Sequence, residues 1–293
     1  MINRYLITSF ILFISFILLS IFISRTSFNE DRPLIFLDKS VNSFFISANS
    51  LNNYFSQFMV YVTIYGREYF WGPILLALFV LGGWIGKKTA IITGLSILIL
   101  VLIGGEIKNI IDRDRPELLI DYAYLLEEES KKSFPSGHAL IVSAGATGVI
   151  SLYRGTIRRT IISLLLVIEA ALVIYSRVYL GLHYSLDSVG GIFLGSSITF
   201  LLVGFQNQID IFSKKVFYII KTKISKITRW RVTYPNILLF EFSCLYSYKQ
   251  FSLFSLYSII VGGYFFFMKS YIFFLYYLIH INDGLLLIFN WVY

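Results

Sequence analysis

Long apolar stretches separated by short polar or basic segments dominate the chain. A helix needs about 20 apolar residues to cross the hydrocarbon core of a bilayer. Six stretches approach that length, and several are shorter, which predicts polar helix ends at the interface or inside the protein. The first has no small-x-small cleavage pattern, so we interpret it as an uncleaved span and not a signal peptide. The predicted spans are 5–24, 70–86, 89–107, 138–153, 160–175 and 188–205.

Two regions depart from this pattern. Segment 26–68 is more polar, and within it residues 41–62 are amphipathic, which predicts a helix lying on the membrane surface. Residues 232–293 are apolar again and leave room for one or two further spans, near 251–268 and 270–291. The fold class predicted is therefore all-α, a polytopic membrane helix bundle with a six-span core and one or two extra C-terminal hydrophobic helices. The predicted regions are a core at 1–205, a basic cytoplasmic linker at 206–231 and a hydrophobic C-terminal region at 232–293.

Composition supports a membrane protein. The chain is 57% hydrophobic and 14% charged, against about 25% charged residues in a soluble domain, and its mean hydropathy is +0.73. The net charge of +8 does not indicate nucleic-acid binding, because the cations alternate with apolar spans and form no single stripe. The single Cys244 excludes an intrachain disulfide and a thiolate metal cage.

Basic residues occupy every second connection between the predicted spans. The positive-inside rule assigns these connections to the cytoplasm, together with the N-terminus. The alternate connections, 25–69, 108–137 and 176–187, then face the periplasm, the cell exterior or a lumen. The cytoplasmic cations are Lys87, Lys88, Arg154, Arg158, Arg159, Lys214, Lys215, Lys221, Lys223, Lys226, Arg229 and Arg231.

The first polar cluster that could carry chemistry is KNIIDRDRP, residues 108–116. It places Lys108, Arg113 and Arg115 on the outer side, where the rule disfavours positive charge, and this favours an anion site. A membrane-edge lysine followed by a solvated loop fits this cluster equally well.

The second cluster is FPSGH, residues 134–138, at the start of the fourth span. Free N–H groups at a helix start, near Ser136 and Gly137, favour phosphate binding. His138 could donate a proton to a departing oxygen. Taken alone, Ser136 is more simply interpreted as a plain N-cap beside a surface histidine. Ser136 as a nucleophile with His138 as its base is a weaker alternative.

The third cluster is YSRVYLGLHYSLDSVGG, residues 175–191. His183 and Asp187 are four residues apart, so on a helix they would share a face. Asp187 could then accept a hydrogen bond from Nδ1 of His183 and leave Nε2 unprotonated. Arg177 precedes this pair. Taken alone, the pair would be a structural hydrogen bond. Gly191 and Gly195 form a small-xxx-small pair that predicts close helix packing.

Together, the three clusters predict phosphoryl transfer. They supply three or four cations, a helix N-terminus and two histidines, and such transfer depends on positioning and charge stabilisation. Cations stand where a metal site would need carboxylates or imidazoles, so no metal or other cofactor is predicted.

The clusters resemble the signature of the type-2 phosphatidic acid phosphatase superfamily, K-x6-R-P, then P-S-G-H, then S-R-x5-H-x3-D. The match covers about 80 residues strongly, and the membrane branch of the family fits residues 1–205 in outline. The matching residues are Lys108, Arg115 and Pro116, then Pro135, Ser136, Gly137 and His138, then Ser176, Arg177, His183 and Asp187.

This resemblance implies a role for each matching residue. His183 would attack the terminal phosphorus to form a phosphohistidine that water hydrolyses, with Asp187 orienting it. His138 would protonate the leaving oxygen and later activate water. The phosphoryl oxygens would be bound by Lys108, Arg115, Arg177 and the backbone N–H groups of Ser136 and Gly137. Arg113 is not a position of the signature, and we assign it an accessory role only.

The implied substrate is a lipid phosphate or diphosphate whose tail stays in the bilayer. A polyprenyl diphosphate of the undecaprenyl or dolichyl type is favoured, because an outward-facing site is where such carriers are recycled. Glycerol-based lipid phosphates, such as phosphatidic acid or phosphatidylglycerol phosphate, are the alternative. A head-group phosphotransferase using the same His–Asp pair stays open, and a non-catalytic lipid-phosphate binder is disfavoured because His183 and Asp187 are both present.

Phosphate release should survive EDTA, since the predicted charge stabilisation comes from side-chain cations. The measurement is inorganic phosphate released from a panel of lipid phosphates in detergent, with and without chelator. Activity lost to EDTA and restored by one divalent metal would contradict this prediction.

Overall fold

The computed structural model describes residues 3–26, 36, 38–41, 43–44, 54–116 and 132–233. Within these ranges the elements are helices, and the extended pairing is a single isolated antiparallel bridge between Asp114 and Lys132. The predicted C-terminal spans at 251–268 and 270–291 lie outside the described residues. The helices are α1 (Arg4–Thr26), α2 (Tyr54–Tyr65), α3 (Glu68–Leu81), α4 (Gly83–Ile111), α5 (Gly137–Leu152), α6 (Ile157–Tyr179), α7 (Ser185–Gly204) and α8 (Gln206–Thr233).

Four helices in the described part of the chain are long and apolar enough to cross a membrane, namely α1, α4, α6 and α7. The bent pair of α2 and α3 would be a fifth span, and α5 is a shorter apolar helix of 16 residues. The all-helical architecture is therefore as predicted, whereas the count of six spans is not established.

The largest difference from the prediction lies at 41–86. Among the described residues, α2 overlaps the end of the predicted surface helix and α3 covers most of the predicted span 70–86. The two helices meet at an angle of 54°. Residues 45–53 lie outside the description. At its other end, α3 stops at Leu81, because Gly83 takes a left-handed φ of 64° and starts α4.

The bend between α2 and α3 depends on Gly66. A Cβ at Gly66 would lie 2.2 Å from Cγ2 of Val173 on α6 and 2.5 Å from the carbonyl oxygen of Val62. Only glycine allows this approach without a shift of α6 or of the α2 backbone. The short polar run after α2, Gly66-Arg67-Glu68, is thereby held against α6.

Helix α5 is buried along most of its length by α3, α4, α6 and α7. Small residues make this possible, since a Cβ at Gly145 would lie 2.4 Å from the ring of Trp71 on α3. Polar contacts also join α5 to α7, where Thr147 Oγ1 donates to Ser196 Oγ at 2.9 Å. Small residues and interhelical hydrogen bonds are typical of packing in a lipid environment, where apolar burial drives little association.

The predicted close packing at Gly191 and Gly195 is confirmed. A Cβ at Gly195 would lie 2.1 Å from Ser143 Oγ and 2.5 Å from the Leu140 carbonyl oxygen, both on α5. A Cβ at Gly191 would meet Ala139 Cβ at 2.6 Å. The α5 and α7 backbones therefore approach closely just beyond their N-termini.

Helix α1 packs on the other side of α7. Ser9 Oγ donates to the Ser197 carbonyl at 2.8 Å, and Ser197 Oγ donates back to the Ser9 carbonyl at 2.9 Å. Just before the start of α1, Asn3 Nδ2 donates to the carbonyl of Gly204, the last residue of α7, at 2.8 Å. These reciprocal bonds fix the register of α1 against α7.

Gly195→Ala should lower the melting temperature in detergent, whereas Gly105→Ala should not. The new methyl at 195 meets backbone atoms of α5, while a Cβ at Gly105 has nothing within 4 Å. Overpacking of this kind costs about 1–3 kcal/mol, which corresponds to a decrease of roughly 2–10 °C. Equal melting temperatures for the two variants would contradict the packing described for α5 and α7.

Candidate active site

Two loop segments clamp the end of α4 to the start of α5. Asp112 ends α4 in a left-handed conformation with φ 55°, which aspartate tolerates better than most residues. Ser133 N–H then donates to the Arg113 carbonyl at 2.8 Å, and Lys132 Nζ pairs with Asp112 at 2.6 Å and Asp114 at 2.9 Å. This clamp brings the first two sequence clusters together, with Lys108 Nζ 3.4 Å from the Lys132 carbonyl oxygen.

Ser136 is the N-cap of α5, as its structural interpretation predicted, and its hydroxyl accepts from the Ala139 N–H at 3.5 Å. Its own N–H donates to the Asp187 carbonyl at 3.0 Å, which ties the start of α5 to the first turn of α7. The Ser136 N–H is therefore occupied here, which differs from the phosphate-donor role predicted for it. Gly137 is the first residue of the helix.

A tight turn between α6 and α7 places His183. Gly181 adopts φ 71°, and the N–H groups of Leu182 and His183 both reach the Arg177 carbonyl, at 3.0 and 3.2 Å. Positive φ favours glycine at this point. Because both N–H groups bind the Arg177 carbonyl oxygen, the backbone at His183 is held next to that of Arg177.

Asp187 lies in the first turn of α7 and is fully buried. Its Oδ2 accepts from the Tyr184 N–H at 2.9 Å, an N-terminal capping contact that suits a carboxylate. The same Oδ2 lies 3.6 Å from Nδ1 of His183. This separation exceeds a normal hydrogen bond, so Asp187 acts on His183 here as a nearby charge.

The contacts of His183 define its proton positions. Its Nε2 lies 3.4 Å from Nη1 of Arg115, which can only donate, and Nδ1 faces the Asp187 carboxylate. The proton therefore belongs on Nδ1, and Nε2 carries the lone pair. Arg115 is held in place by a 2.9 Å bond from Nη1 to the Leu182 carbonyl.

Burial and the surrounding cations keep the His183 imidazole neutral. Burial first, and then the cations Arg115, Arg177 and Lys108, hold the pKa of His183 well below its usual value. A neutral ring retains the Nε2 lone pair that a nucleophile needs.

His138 lies in the first turn of α5 and has the opposite arrangement of nitrogens. Its Nε2 is 3.1 Å from the Thr63 carbonyl oxygen, which can only accept, so Nε2 carries a proton. Thr63 is in the last turn of α2, where carbonyls lack intrahelical partners, and the bend at Gly66 frees this one for His138. Nδ1 is then the nitrogen that can gain or lose a proton, and it lies 3.4 Å from Nη1 of Arg67.

Arg177 is buried inside the bundle at 1% exposure. Its Nη1 donates to Thr63 Oγ1 at 3.0 Å, so one threonine contacts both Arg177 and His138. The bent pair of α2 and α3 is therefore part of the site.

Arg113 connects two buried carboxylates. Its Nη1 lies 2.6 Å from Asp187 Oδ1 and its Nη2 lies 2.7 Å from Asp38 Oδ2, while the guanidinium stacks on the Tyr184 ring at 4.2 Å. Asp38 also accepts from the Leu186 N–H at the start of α7, at 3.0 Å. We call this Asp38–Arg113–Asp187 arrangement the acidic bridge, and it fixes the carboxylate beside His183.

The structure thus brings the sequence-predicted residues to one end of the bundle. His183, His138, Asp187, Arg115, Arg177 and Arg113 are linked by the contacts above, and Lys108 lies at the end of α4 beside them. Sequence reasoning missed Asp38, Thr63 and Arg67, which contribute contacts from the polar segment before the second predicted span. The sequence did carry a signal for Arg67. It lies in the polar run Gly66-Arg67-Glu68, in a connection predicted to face outward, where positive charge is disfavoured.

Comparison with known proteins points to the same part of the chain. Residues 89–210 match the PAP2 superfamily, a range that contains all three sequence clusters. An undecaprenyl-diphosphatase from Sulfolobus acidocaldarius is 38% identical over 150 residues, covering 51% of this chain and 69% of the relative. The chain belongs to the PAP2 superfamily. The family and the phosphatase class predicted from the sequence are confirmed.

Two further relatives extend the comparison. Phosphatidylglycerophosphatase B of Bacillus subtilis is 35% identical over 120 residues, 39% of this chain and 56% of the relative. The crystal structure of a transmembrane PAP2-type phosphatidylglycerolphosphate phosphatase from Bacillus subtilis has a TM-score of 0.52 at 23% identity, covering 69% of this chain and 97% of that chain. The structural match establishes the fold. The described helices that are long and apolar enough to cross a membrane support an integral multi-pass membrane protein.

Asp38→Asn should lower kcat and stability together. The amide can still accept from the Leu186 N–H, but Arg113 loses one of its two buried anions. We expect a loss of roughly 1–3 kcal/mol in stability and a decrease in kcat of about tenfold or more as Asp187 shifts. The measurements are thermal unfolding in detergent and phosphate release at saturating substrate.

Asp210→Asn is the matched control, because Asp210 pairs with Lys214 and Trp84 away from the site. Its kcat should equal that of the unsubstituted chain. Unchanged kcat in Asp38→Asn would contradict the link from the acidic bridge to His183.

Proposed function

We propose that this PAP2 protein hydrolyses the terminal phosphate of a polyprenyl diphosphate through a phosphohistidine on His183. The observation that carries the proposal is the complementary state of the two histidines. Nε2 of His183 holds a lone pair beside Arg115. Nε2 of His138 donates to the Thr63 carbonyl, so Nδ1, beside Arg67, holds the lone pair that can take up a proton. A nucleophile and a general acid are thereby assigned to different rings.

In the proposed reaction, Nε2 of His183 attacks the terminal phosphorus and the bond to the bridging oxygen breaks. His138 must first take up a proton on Nδ1. As the imidazolium it protonates that oxygen, and the lipid leaves. A water deprotonated by His138 then attacks the phosphohistidine, releasing inorganic phosphate and restoring His183. Asp187 balances the positive charge that develops on the His183 ring during the attack.

Cations and backbone would hold the transferred phosphoryl group. Lys108, Arg115 and Arg177 supply positive charge where negative charge accumulates. The N–H of Gly137 at the start of α5 adds the dipole of a helix N-terminus. We assign Ser136 to holding that helix end against α7, because its N–H is already bonded to Asp187.

The charge distribution supports an active site on the extracytoplasmic face. The site lies at the end of α4, the start of α5, the end of α6 and the start of α7. Lys87, Lys88, Arg154 and Arg158 lie near the opposite ends of these helices. Under the positive-inside rule the basic ends are cytoplasmic, with the N-terminus on that side.

The lipid class rests on two considerations. The relative at 38% identity is an undecaprenyl-diphosphatase, and an outward-facing site suits carrier lipids that release diphosphate there. Aromatic side chains on α2, the helix that carries Thr63, are exposed and would contact an acyl or prenyl tail; they include Phe55, Phe58 and Tyr61.

A glycerol-based lipid phosphate is the second candidate, favoured by the similarity to phosphatidylglycerophosphatase B. A head-group phosphotransferase is chemically equivalent up to the phosphohistidine. Phosphate release in the presence of excess glycerol distinguishes the hydrolase from the transferase, since only a transferase would send labelled phosphate mainly to the alcohol.

His183→Ala should abolish the covalent intermediate and lower turnover by about 10³-fold or more. The measurement is rapid acid-free quenching with terminally ³²P-labelled farnesyl diphosphate, followed by detection of acid-labile, base-stable label on the protein. Ser136→Ala is the control, because it removes the alternative nucleophile and should retain the label. Label persisting in His183→Ala would exclude His183 as the nucleophile.

A further inference from the structure

Arg67 is a cation of the site that no sequence cluster contains. It lies at the bend between α2 and α3, with its side chain 28% exposed. Its Nη1 is 3.4 Å from Nδ1 of His138, and its Nε is 2.5 Å from the Glu68 carboxylate. The ion pair with Glu68 holds the guanidinium so that its Nη1 end reaches His138.

The two histidines have different guanidinium partners. Arg115 contacts Nε2 of His183, the atom proposed to attack phosphorus, at 3.4 Å. Arg67 contacts Nδ1 of His138, the atom proposed to protonate the leaving oxygen, also at 3.4 Å. Arg115 is therefore on the side of the transferred phosphoryl group, and Arg67 is on the side of the group that departs.

We propose that Arg67 determines substrate specificity by binding the phosphate that remains on the departing lipid, so that the site prefers lipid diphosphates to lipid monophosphates. This inference rests on the proposed function and extends it to the leaving group. Arginine suits the task because its planar fork can contact two phosphate oxygens while staying charged.

The bonds made and broken in the reaction show why the contribution of Arg67 depends on the leaving group. The P–Nε2 bond forms as the bond from the terminal phosphorus to the bridging oxygen breaks, and the electron pair stays on that oxygen. The oxygen takes the proton that Nδ1 of His138 carries when the ring is an imidazolium, and the ring returns to its neutral form. With a diphosphate the departing species is a lipid monophosphate, which keeps negative charge after protonation.

With a lipid monophosphate as substrate, the same steps release a neutral alcohol. A guanidinium beside His138 then has no anion to bind on the leaving side. Its contribution to the transition state should therefore be present for a diphosphate and largely absent for a monophosphate, whereas the contribution of Arg115 applies equally to both.

The test compares farnesyl diphosphate with farnesyl monophosphate, which share one tail and one transferred group. In Arg67→Ala the ratio of kcat/KM for the diphosphate to that for the monophosphate should fall by about 10- to 100-fold, the size of one charge-assisted hydrogen bond. Both values come from one preparation, so the ratio is independent of the fraction of folded enzyme. An unchanged ratio in Arg67→Ala overturns the inference.

Two matched variants separate leaving-group binding from other roles of Arg67. Arg115→Ala should lower kcat/KM for both substrates with little change in their ratio. Glu68→Gln removes the charge of the carboxylate but keeps an amide oxygen that can accept from Nε of Arg67. The guanidinium then stays in place and the ratio should not fall. If Glu68→Gln lowers the ratio as much as Arg67→Ala does, Arg67 acts by holding the bend and the inference is wrong.

Arg158→Ala, an exposed arginine at the start of α6, serves as a control for loss of charge and should leave both substrates unaffected. Failure of the proposed function gives a different result from failure of the inference. An unsubstituted chain that releases no phosphate from farnesyl diphosphate would overturn both. An unsubstituted chain that is active, with the same substrate ratio in Arg67→Ala, would overturn the inference alone.

Discussion

The buried carboxylate of Asp187 is the contact on which the rest of the site depends. A charge with no exposure to solvent needs donors and cations around it to offset the cost of burial. Tyr184 N–H and Arg113 supply them, and Arg113 needs Asp38 in turn. Once these groups are paired, the remaining side of the carboxylate faces His183. The position of the Asp187 carboxylate beside His183 therefore follows from the donors and cations that pair with it.

The pairing of Asp187 requires the N-termini of α5 and α7 to lie close together. The packing of α5 makes this possible. Glycine at 145, 191 and 195 lets α5 approach α3 and α7 to distances that a methyl group would prevent. The N-termini of α5 and α7 are then joined by the Ser136 N–H bond to Asp187. Small residues in the bundle thus position the charges at its end. The same close approach supports a pre-formed site, since little movement is available to these backbones.

The bend between α2 and α3 gives the site its second half. An unbroken helix would pair its carbonyls internally, whereas the break at Gly66 leaves the Thr63 carbonyl for His138 and the Thr63 hydroxyl for Arg177. Arg67 follows at once and reaches the other nitrogen of His138. The nucleophile side is built from α4, α6 and α7, and the acid side from α2, α3 and α5. Substrate chemistry would take place where these two groups of helices meet.

The sequence by itself determined the helical class, most span positions and the residues of the three clusters, because apolar length and motif spacing are local properties of the chain. It could not locate Asp38, Thr63 or Arg67, since their contacts cross as many as 148 positions along the chain, from Asp38 to Leu186. Only the tertiary structure decided which nitrogen of each histidine is bonded and that Ser136 N–H is occupied. Those features depend on where carbonyls and cations from other helices lie, and no periodicity in the sequence encodes that.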